Sequence, residues 1–288
     1  MSRFLFALLT AAPLLPAQIF QFTREQLIEY TPKNPYERSA DGRPKVPDAL
    51  LKKFEAMSAE EVWTILDKIP GYKNQYEGHW HILHPEKKLI GRAFTAQFMP
   101  LRADVSDVVE AKANNEGNSN QRAIDMLQEG DVMVADLFGK EEYGTFVGDN
   151  LATYIYDTTK RGMVIDGAIR DLEGIFPIPM GAYFRSVHPT PIRQVMLTGV
   201  NIPIRIGNAT VMPGDVVFGD REGIYFVPPH LVEQIVKNAD EVHIHDEWTQ
   251  MMMKTGKYKS SEIYPSPRDP ELKRQYEEYK KKKMSEMK

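Results

Sequence analysis

The chain has 288 residues, a formal charge of −4 and no cysteine. Apolar residues make up 42% of it and charged residues 26%, which is typical of a folded soluble protein with a substantial core. The lack of cysteine excludes disulfides, thiolate metal ligands and cysteine nucleophiles. The small negative charge gives no electrostatic basis for nucleic-acid binding.

The N-terminus has the pattern of a secretory signal peptide. Arg3 precedes the apolar run 4–9, and Ala17 supplies a small residue at a plausible cleavage point. Residues 1–17 are therefore predicted to be removed on export to the periplasm or out of the cell. The alternative is an N-terminus that is disordered or packed on the core. The run is too short and proline-broken for a stable membrane span, and no later stretch is apolar enough to form one.

Residues 18–47 contain several prolines and charges, which predicts an extended arm with at most one short helix. Helices are expected over residues 48–54 and 58–68, and a capping box starts the second. Residues 89–99 alternate between two faces and predict a strand. A polar loop is expected around residues 114–118.

The centre of the chain predicts a helix whose first turn can bind an anion. Gly148 allows a tight turn, and Asp149 is expected to cap the helix that follows. The backbone N–H groups of Asn150 and Leu151 then point at whatever lies before the helix. Such free donors at a helix start suit a carboxylate or a phosphate.

A buried strand and a charged pair follow that helix. Residues 163–165 are apolar without alternation, as in a strand covered on both faces. Asp166 and Gly167 are expected to turn the chain sharply at the end of this strand. Arg170 and Asp171 then lie beyond the carboxyl end of the strand, where open α/β sheets usually bind ligands.

The remainder of the chain predicts a second β layer and a helical C-terminus. Strands are expected over the short apolar segments separated by glycine and proline, namely 183–187, 202–206, 210–212, 216–218 and 224–227. Pro228 and Pro229 start a helix with a core-facing side. The composition changes after Trp248, which predicts a C-terminal arm with a charged helix over residues 270–288.

The spacing of three charged residues is similar to the signature of the 4-hydroxy-4-methyl-2-oxoglutarate aldolases in the RraA-like family. In this sequence twenty residues separate Asp149 from the pair Arg170-Asp171. The segments 129–136, 211–217 and 219–228 extend the similarity. The resemblance implies an α/β fold with layered β/β/α architecture, as in swivelling domains. We therefore expect a catalytic domain over residues 48–247, flanked by the arms 18–47 and 248–288.

The resemblance also implies a chemistry for the central residues. Asp171 would bind Mg²⁺ or Mn²⁺ directly, and Asp149 would hold the metal through a water. Arg170 would contact the keto or enolate oxygen of a pyruvate-like unit, and the helix start would bind the substrate carboxylate. The expected activity is cleavage of a 4-hydroxy-2-oxo acid to pyruvate. Decarboxylation of oxaloacetate would pass through the same enolate.

The family also implies a different class of function and a homo-oligomer. Some members are non-catalytic regulators of ribonuclease E, so a binding protein is the alternative to an enzyme. A homotrimer or a hexamer is expected, with the arms on neighbouring subunits and another acidic residue supplied across the boundary. An older name in the family refers to a methyltransferase. The glycine-rich loop expected of an adenosyl-cofactor site does not stand out in this sequence, which gives that name no support.

Histidines offer a weaker alternative site. His79, His81 and His84 lie close together in the sequence and could suit a transition metal, although packing or hydrogen bonding is the favoured role. His188 or Arg185 could touch a substrate from the end of a strand. Asp166 and Asp220 are expected to order turns.

Overall fold

The computed structural model of the protein describes residues 20–112 and 119–286. The predicted signal peptide at residues 1–17 and the predicted loop at residues 114–118 lie outside the described residues. The described strands are β1 (Phe20–Gln21), β2 (Tyr76–Glu77), β3 (His81–Ile82), β4 (Leu89–Pro100), β5 (Asp131–Thr145), β6 (Gly162–Ile169), β7 (Gly181–Val187), β8 (Val195–Val200), β9 (Ile204–Ile206), β10 (Ala209–Val211), β11 (Val216–Gly219) and β12 (Ile224–Val227).

The described helices follow the same numbering along the chain. They are α1 (Arg24–Tyr30), α2 (Asp48–Lys53), α3 (Ala59–Leu66), α4 (Ala103–Lys112), α5 (Ser119–Ile124), α6 (Asp149–Thr159), α7 (Leu172–Ile175), α8 (Val232–Lys254), α9 (Ser260–Ile263) and α10 (Pro270–Glu286). None of the helices in the described ranges is both long and apolar enough to cross a membrane.

One large mixed sheet organises these elements, in the order β2-β12-β11-β4-β5-β6-β7-β3. The four central strands β4 to β7 are parallel, and the strands at both ends of the order run antiparallel to their neighbours. Every residue of β6 is buried, as expected for a central parallel strand covered on both faces. β8 pairs with the C-terminal half of β4, and the short β1 pairs with β8.

The two faces of this sheet are covered differently. Ile90 and Phe94 of β4 face helices: α2, α3 and α8 pack over one part of this face, and α5 and α6 over another. Leu89 and Ala93 face the opposite way and pack against the β9–β10 hairpin. Hairpin, sheet and helices form three layers, which confirms the predicted α/β class with layered β/β/α architecture.

The structure corrects the predicted end of β6. The strand does not turn at Asp166 and Gly167 but continues to Ile169. Gly167 is needed for close packing, because a Cβ there would lie 2.9 Å from the Cβ of Leu137. Residues 140–144 belong to the irregular second half of β5.

The N-terminal segment packs on its own domain and includes the one short helix expected, α1. Its Leu27 is fully buried. Arg43 is also buried, and its guanidinium bonds both carboxylate oxygens of Asp131 at 2.8 and 3.2 Å. A buried ion pair therefore fixes this segment to the start of β5.

The C-terminal segment folds back in the same manner. Helix α8 continues past Trp248, where a change was predicted, and ends at Lys254. Trp248, Ile263 and Leu272 form a small core beneath α10. Asp269 caps α10 as its carboxylate accepts two backbone N–H groups at 2.9 and 3.1 Å. The C-terminal arm thus packs on its own subunit.

Candidate functional site

The predicted site lies where β6 ends and α6 begins. The Arg170 N–H donates to the Val147 carbonyl at 3.0 Å, so the end of β6 runs beside the chain entering α6. A Cβ at Gly148 would lie 2.3 Å from Asp171 Oδ2 and 3.2 Å from Arg170 Nε. The missing side chain of Gly148 therefore leaves room for Arg170 and Asp171 against the helix start.

Asp149 was predicted to be the N-cap of α6, but it lies one position after the N-cap. Gly148 is the N-cap, and Asp149 is the first residue of α6. The Asp149 Oδ1 accepts the N–H of Asn150 at 2.7 Å. On its other side Asp149 contacts α7, since a Cβ at Gly174 would lie 2.6 Å from the Asp149 Cβ. The acid is thus held between the two helix starts.

Asp171 adopts an unusual backbone conformation for a residue that is not glycine. Its φ and ψ are 57° and 44°, in the left-handed region that only a few per cent of residues other than glycine adopt, asparagine and aspartate among them. Its carbonyl accepts the N–H groups of Gly174 and Ile175 at 3.0 Å each, while its side chain does not cap α7. Residues held in such conformations cluster at functional sites.

The side chains of Arg170 and Asp171 stand next to each other. Arg170 Nε is 3.4 Å from Asp171 Oδ2, and the two side chains are 38% and 47% exposed. This separation is long for a hydrogen bond, and the exposure leaves both charges open to a ligand. The pair therefore offers one cation and one oxygen ligand at the same place.

A cleft of about 280 Å³ adjoins this pair. Gly148, Leu151 and Arg170 line it, whereas Asp149, Asn150 and Asp171 lie beside it. The first backbone hydrogen bond of α6 joins Ala152 N–H to the Gly148 carbonyl at 3.0 Å, so the Leu151 N–H belongs to the open first turn. The Asn150 N–H, predicted to bind substrate, is occupied by Asp149.

The donor set here suits a hard divalent cation. Asp149 and Asp171 supply carboxylates, and the space above Gly148 lies directly against Asp171 Oδ2. Within residues 20–112 and 119–286, no three histidine or acidic side chains gather around one point. Mg²⁺ commonly uses one or two carboxylates and keeps several waters, so two acids fit it better than a transition ion.

The histidines take packing roles instead. His84 Nε2 lies 3.1 Å from the carbonyls of Phe176 and Ile178, and His81 stacks on Phe184. His188 Nδ1 lies 2.9 Å from Thr190 Oγ1. The described part of the chain therefore gives no support to the alternative transition-metal site.

Arg185, which was considered for substrate contact, is engaged in the structure. It bonds Asp166 at 2.7 Å and Glu77 at 2.9 Å, and its guanidinium lies 3.6 Å from the ring centroid of Trp80. Asp166 therefore pairs with an arginine and does not order a turn. Asp220 does order its turn, because its carboxylate accepts the N–H of Glu222, two residues later, at 2.8 Å. It also accepts the N–H of Ala59 at the start of α3 at 2.8 Å.

Sequence reasoning missed the second charged residue of the cleft. Arg193 lines it from the loop between β7 and β8, with an exposed side chain. Its backbone N–H donates to the Tyr143 carbonyl at 2.9 Å. Because this contact joins residues fifty positions apart, no local pattern could place Arg193 there. Pro189 and Pro191 indicate a rigid loop, but they do not indicate which part of the chain the loop packs against.

Solved structures share this architecture. An uncharacterized protein from Pseudomonas syringae pv. tomato superimposes with a TM-score of 0.62 at 22% identity, covering 78% of this chain and 94% of that one. RraAS2 of Streptomyces coelicolor, described as an unusual member of the RNase ES inhibitor RraA family, gives 0.62 at 24% identity over 73% of this chain and 100% of its own. At these identities the likeness establishes the fold.

Sequence relatives include proteins with an enzymatic name. A protein of Halalkalibacterium halodurans, provisionally named a 4-hydroxy-4-methyl-2-oxoglutarate aldolase, is 27% identical over 41% of this chain and 56% of its own length. An uncharacterized Methanocaldococcus jannaschii protein is 28% identical over 38% and 53%. The chain thus spans little more than half of these two. A Shewanella oneidensis protein with the same provisional aldolase name is 26% identical over 56% of this chain and 92% of its own.

The RraA-like family model, described as Aldolase/RraA, matches residues 60–226, which is more than half of the chain and includes the whole Asp149 to Asp171 segment. The predicted family is therefore confirmed, and this chain belongs to the Aldolase/RraA family.

Proposed function

We propose that this protein is a lyase that cleaves a 4-hydroxy-2-oxo acid to pyruvate with the help of a divalent metal. One observation carries the proposal: Arg170 and Asp171 stand side by side at the cleft, in the space that Gly148 leaves at the start of α6. The provisional aldolase names of several relatives support the same reaction class.

The reaction needs a group that stabilises negative charge on oxygen. When the C3–C4 bond of the substrate breaks, its electron pair moves to C3 and delocalises onto the C2 oxygen as an enolate. The C4 hydroxyl loses its proton and becomes a carbonyl, and C3 then takes up a proton to give pyruvate. Arg170 carries a positive charge and lies at the cleft, so it is suited to hold the enolate oxygen.

The start of α6 is suited to hold the acid end of the substrate. The Leu151 N–H lies in the open first turn, and the helix dipole favours an anion there. Binding by Asn150 would require its N–H to exchange the Asp149 carboxylate for the substrate. Asp149 would then be free to hold a water that receives the C4 hydroxyl proton.

Mg²⁺ or Mn²⁺ would be held by Asp171 directly and by Asp149 through a water. When bound, such an ion polarises a carbonyl oxygen as a Lewis acid. Oxaloacetate decarboxylation leads to the same enolate and is proposed as a side activity. Both activities use Arg170 in the same way.

Pyruvate release from 4-hydroxy-4-methyl-2-oxoglutarate tests the proposal. Arg170→Ala and Asp171→Ala should each lower kcat by about 10²-fold or more, by analogy with the loss of one group that stabilises an oxyanion. Arg102→Ala and Asp104→Ala are control variants, because they remove a more exposed Arg–Asp pair, joined at 2.8 Å, that does not line the cleft.

A chelator should abolish turnover, and added Mg²⁺ or Mn²⁺ should restore it. Full turnover by either site variant would refute the assigned roles. Turnover that resists the chelator would refute the role of the metal. If a panel of oxo acids gave no pyruvate with the wild type, the non-catalytic binding class would be favoured.

A further inference from the structure

We infer that the protein has a second binding site, for a neutral sugar, in a cleft between the N-terminal arm and the β9–β10 hairpin. This second cleft has a volume of about 440 Å³, compared with about 280 Å³ for the cleft at Arg170, and the two share no lining residue. Its size is typical of a small-molecule site. The site is independent of the proposed lyase reaction.

Parts of the chain outside the family match help to build the second cleft. Residues 30–34 of the arm and residues 228–230 after β12 line it, and both segments lie outside residues 60–226. The arm is held there by Arg38, whose guanidinium donates to the Thr31 carbonyl at 2.9 Å and to Thr31 Oγ1 at 2.8 Å. A wall that is already fixed costs little further ordering when a ligand binds.

The lining of the second cleft carries almost no net charge. Among its described lining residues, Lys33 and Asp215 are the only lysine, arginine or acid, and Lys33 is exposed. Burial, together with the nearby Lys33, lowers the pKa of His230, so this ring is neutral at neutral pH. The cleft at Arg170, by contrast, is lined by two arginines. A lining without excess charge favours an uncharged ligand.

Two buried side chains of the second cleft have unused hydrogen-bonding capacity. Asp215 is 2% exposed; one carboxylate oxygen accepts the Met212 N–H at 2.8 Å, and the other has no partner among the described residues. The Gln75 amide donates to the carbonyls of Thr210 and Phe226 at 3.0 and 2.9 Å, which leaves its oxygen as an acceptor. Burial raises the pKa of Asp215 to about 7, so near neutral pH this group both accepts and donates. Buried polar atoms of this kind are normally satisfied by a partner.

The rim adds amides and aromatic rings. Asn74 and Asn208 are exposed, and their side chains have no hydrogen-bond partner within residues 20–112 and 119–286. The rings of Tyr30 and Tyr72 also line the cleft, and Tyr30 is 57% exposed. The hydroxyls of a sugar donate and accept, which matches amides and a carboxyl group, and its C–H faces pack on aromatic rings. A neutral sugar therefore uses both kinds of group.

Calorimetry on the full chain at pH 7 tests the site with four neutral sugars, namely D-glucose, D-galactose, D-xylose and cellobiose. At least one should bind with a Kd of about 1 mM or tighter, as a few neutral hydrogen bonds and a ring contact allow. Glucosamine and glucuronate carry an amine or a carboxylate on a similar ring. They should bind no more tightly than the best neutral sugar, because the lining has no excess charge to attract them.

Three variants test whether the sugar binds in the second cleft. Thr210→Trp fills the cleft from an exposed position on β10 and should abolish binding. Tyr72→Ala removes a ring and should weaken binding about 10-fold. Asn74→Ala removes an amide that has no partner in the described chain, so it should keep the fold and weaken binding about 3- to 10-fold. Gln250→Ala removes an exposed amide of α8 outside the cleft and is the matched control, with unchanged binding.

Several results would overturn the inference. They are the failure of all four sugars to bind at about 10 mM, tighter binding of a charged ring, binding that survives Thr210→Trp, and unchanged binding in both Asn74→Ala and Tyr72→Ala. Pyruvate release should be the same in Asn74→Ala and the wild type, because Arg170 lies in the other cleft. A chain that binds the sugar but cleaves no oxo acid would refute the lyase proposal and leave the sugar site standing.

Discussion

Substituting Gly148 by alanine tests whether Arg170 and Asp171 need the space beside the start of α6, with little effect on the stability of the fold. Gly148 has φ −107° and ψ −167°, an extended conformation that any residue adopts. Its replacement therefore imposes no backbone strain. An added Cβ would lie 2.3 Å from Asp171 Oδ2, more than 1 Å inside an ordinary contact, and 3.2 Å from Arg170 Nε. Both side chains would have to move away from the helix start.

A displacement of this size should affect catalysis far more than stability. Misplacing a reacting group by about 1 Å can cost about 10²-fold in rate, so Gly148→Ala should lower kcat for pyruvate release by about that factor. The loss of stability should stay near or below about 1 kcal/mol, because glycine and alanine differ modestly at a helix N-cap. Urea denaturation and the pyruvate assay measure the two effects separately.

Gly148→Ser distinguishes the steric clash of the added Cβ with Arg170 and Asp171 from an effect on the capping of α6. Serine caps α6 better than alanine, but its Cβ meets the same two side chains. It should therefore restore stability and stay as inactive as the alanine variant. Gly78→Ala is the matched control, because its added Cβ would meet only the far end of the Tyr76 side chain, at 3.0 Å. An active Gly148→Ser enzyme would refute the spatial account.

Two further predictions concern stability. Burial raises the pKa of Asp215 to about 7, so between about pH 4 and pH 7 the folded state holds a proton that the unfolded chain has released. Wild-type stability should fall as pH rises through that range, by up to roughly 1.4 kcal/mol per pH unit, and urea midpoints should show no such slope in Asp215→Asn. Arg43→Met would leave the buried Asp131 uncompensated and should cost about 3–5 kcal/mol in urea at pH 7. Adding Asp131→Asn should recover part of that loss, and a fully additive double variant would contradict the pairing.

Local patterns predicted the elements whose signals lie within one turn or one strand. The helix at Ser58 begins with the expected capping box, since the Ser58 N–H donates to Glu61. The alternation of β4 places Phe94 against the helices and Ala93 against the hairpin, as expected. These features depend on side-chain spacing of 2.0 or 3.6 residues, which a single sequence shows directly.

Other features depend on contacts that a single sequence does not show. Asp166 and Gly167 have turn-forming chemistry, yet Gly167 serves the approach of Leu137 and Asp166 pairs with Arg185. The left-handed conformation of Asp171 was not predictable, because no glycine marks it. In each case a distant partner overrides the local preference. The signature spacing still predicted that Arg170 and Asp171 lie against the start of α6, since it records the length of one helix and one strand.

The irregular course of β5 explains why the cleft forms at this point of the sheet. The pairing of β5 with β6 shifts twice, from Asp136 to Lys140 and again from Lys140 to Thr145. Phe138 and Tyr143 adopt left-handed φ angles of 48° and 59° within this stretch. Bulged strands bend, and they are over-represented next to active sites.

The second shift places Thr145 opposite Ala168, and two residues later Val147 accepts the N–H of Arg170. The same stretch presents the Tyr143 backbone to the loop that carries Arg193. One irregular strand therefore sets both ends of the cleft. The backbones of both arginines of the cleft, Arg170 and Arg193, are positioned by this stretch of the chain, so a change in the register of β5 would move both of them.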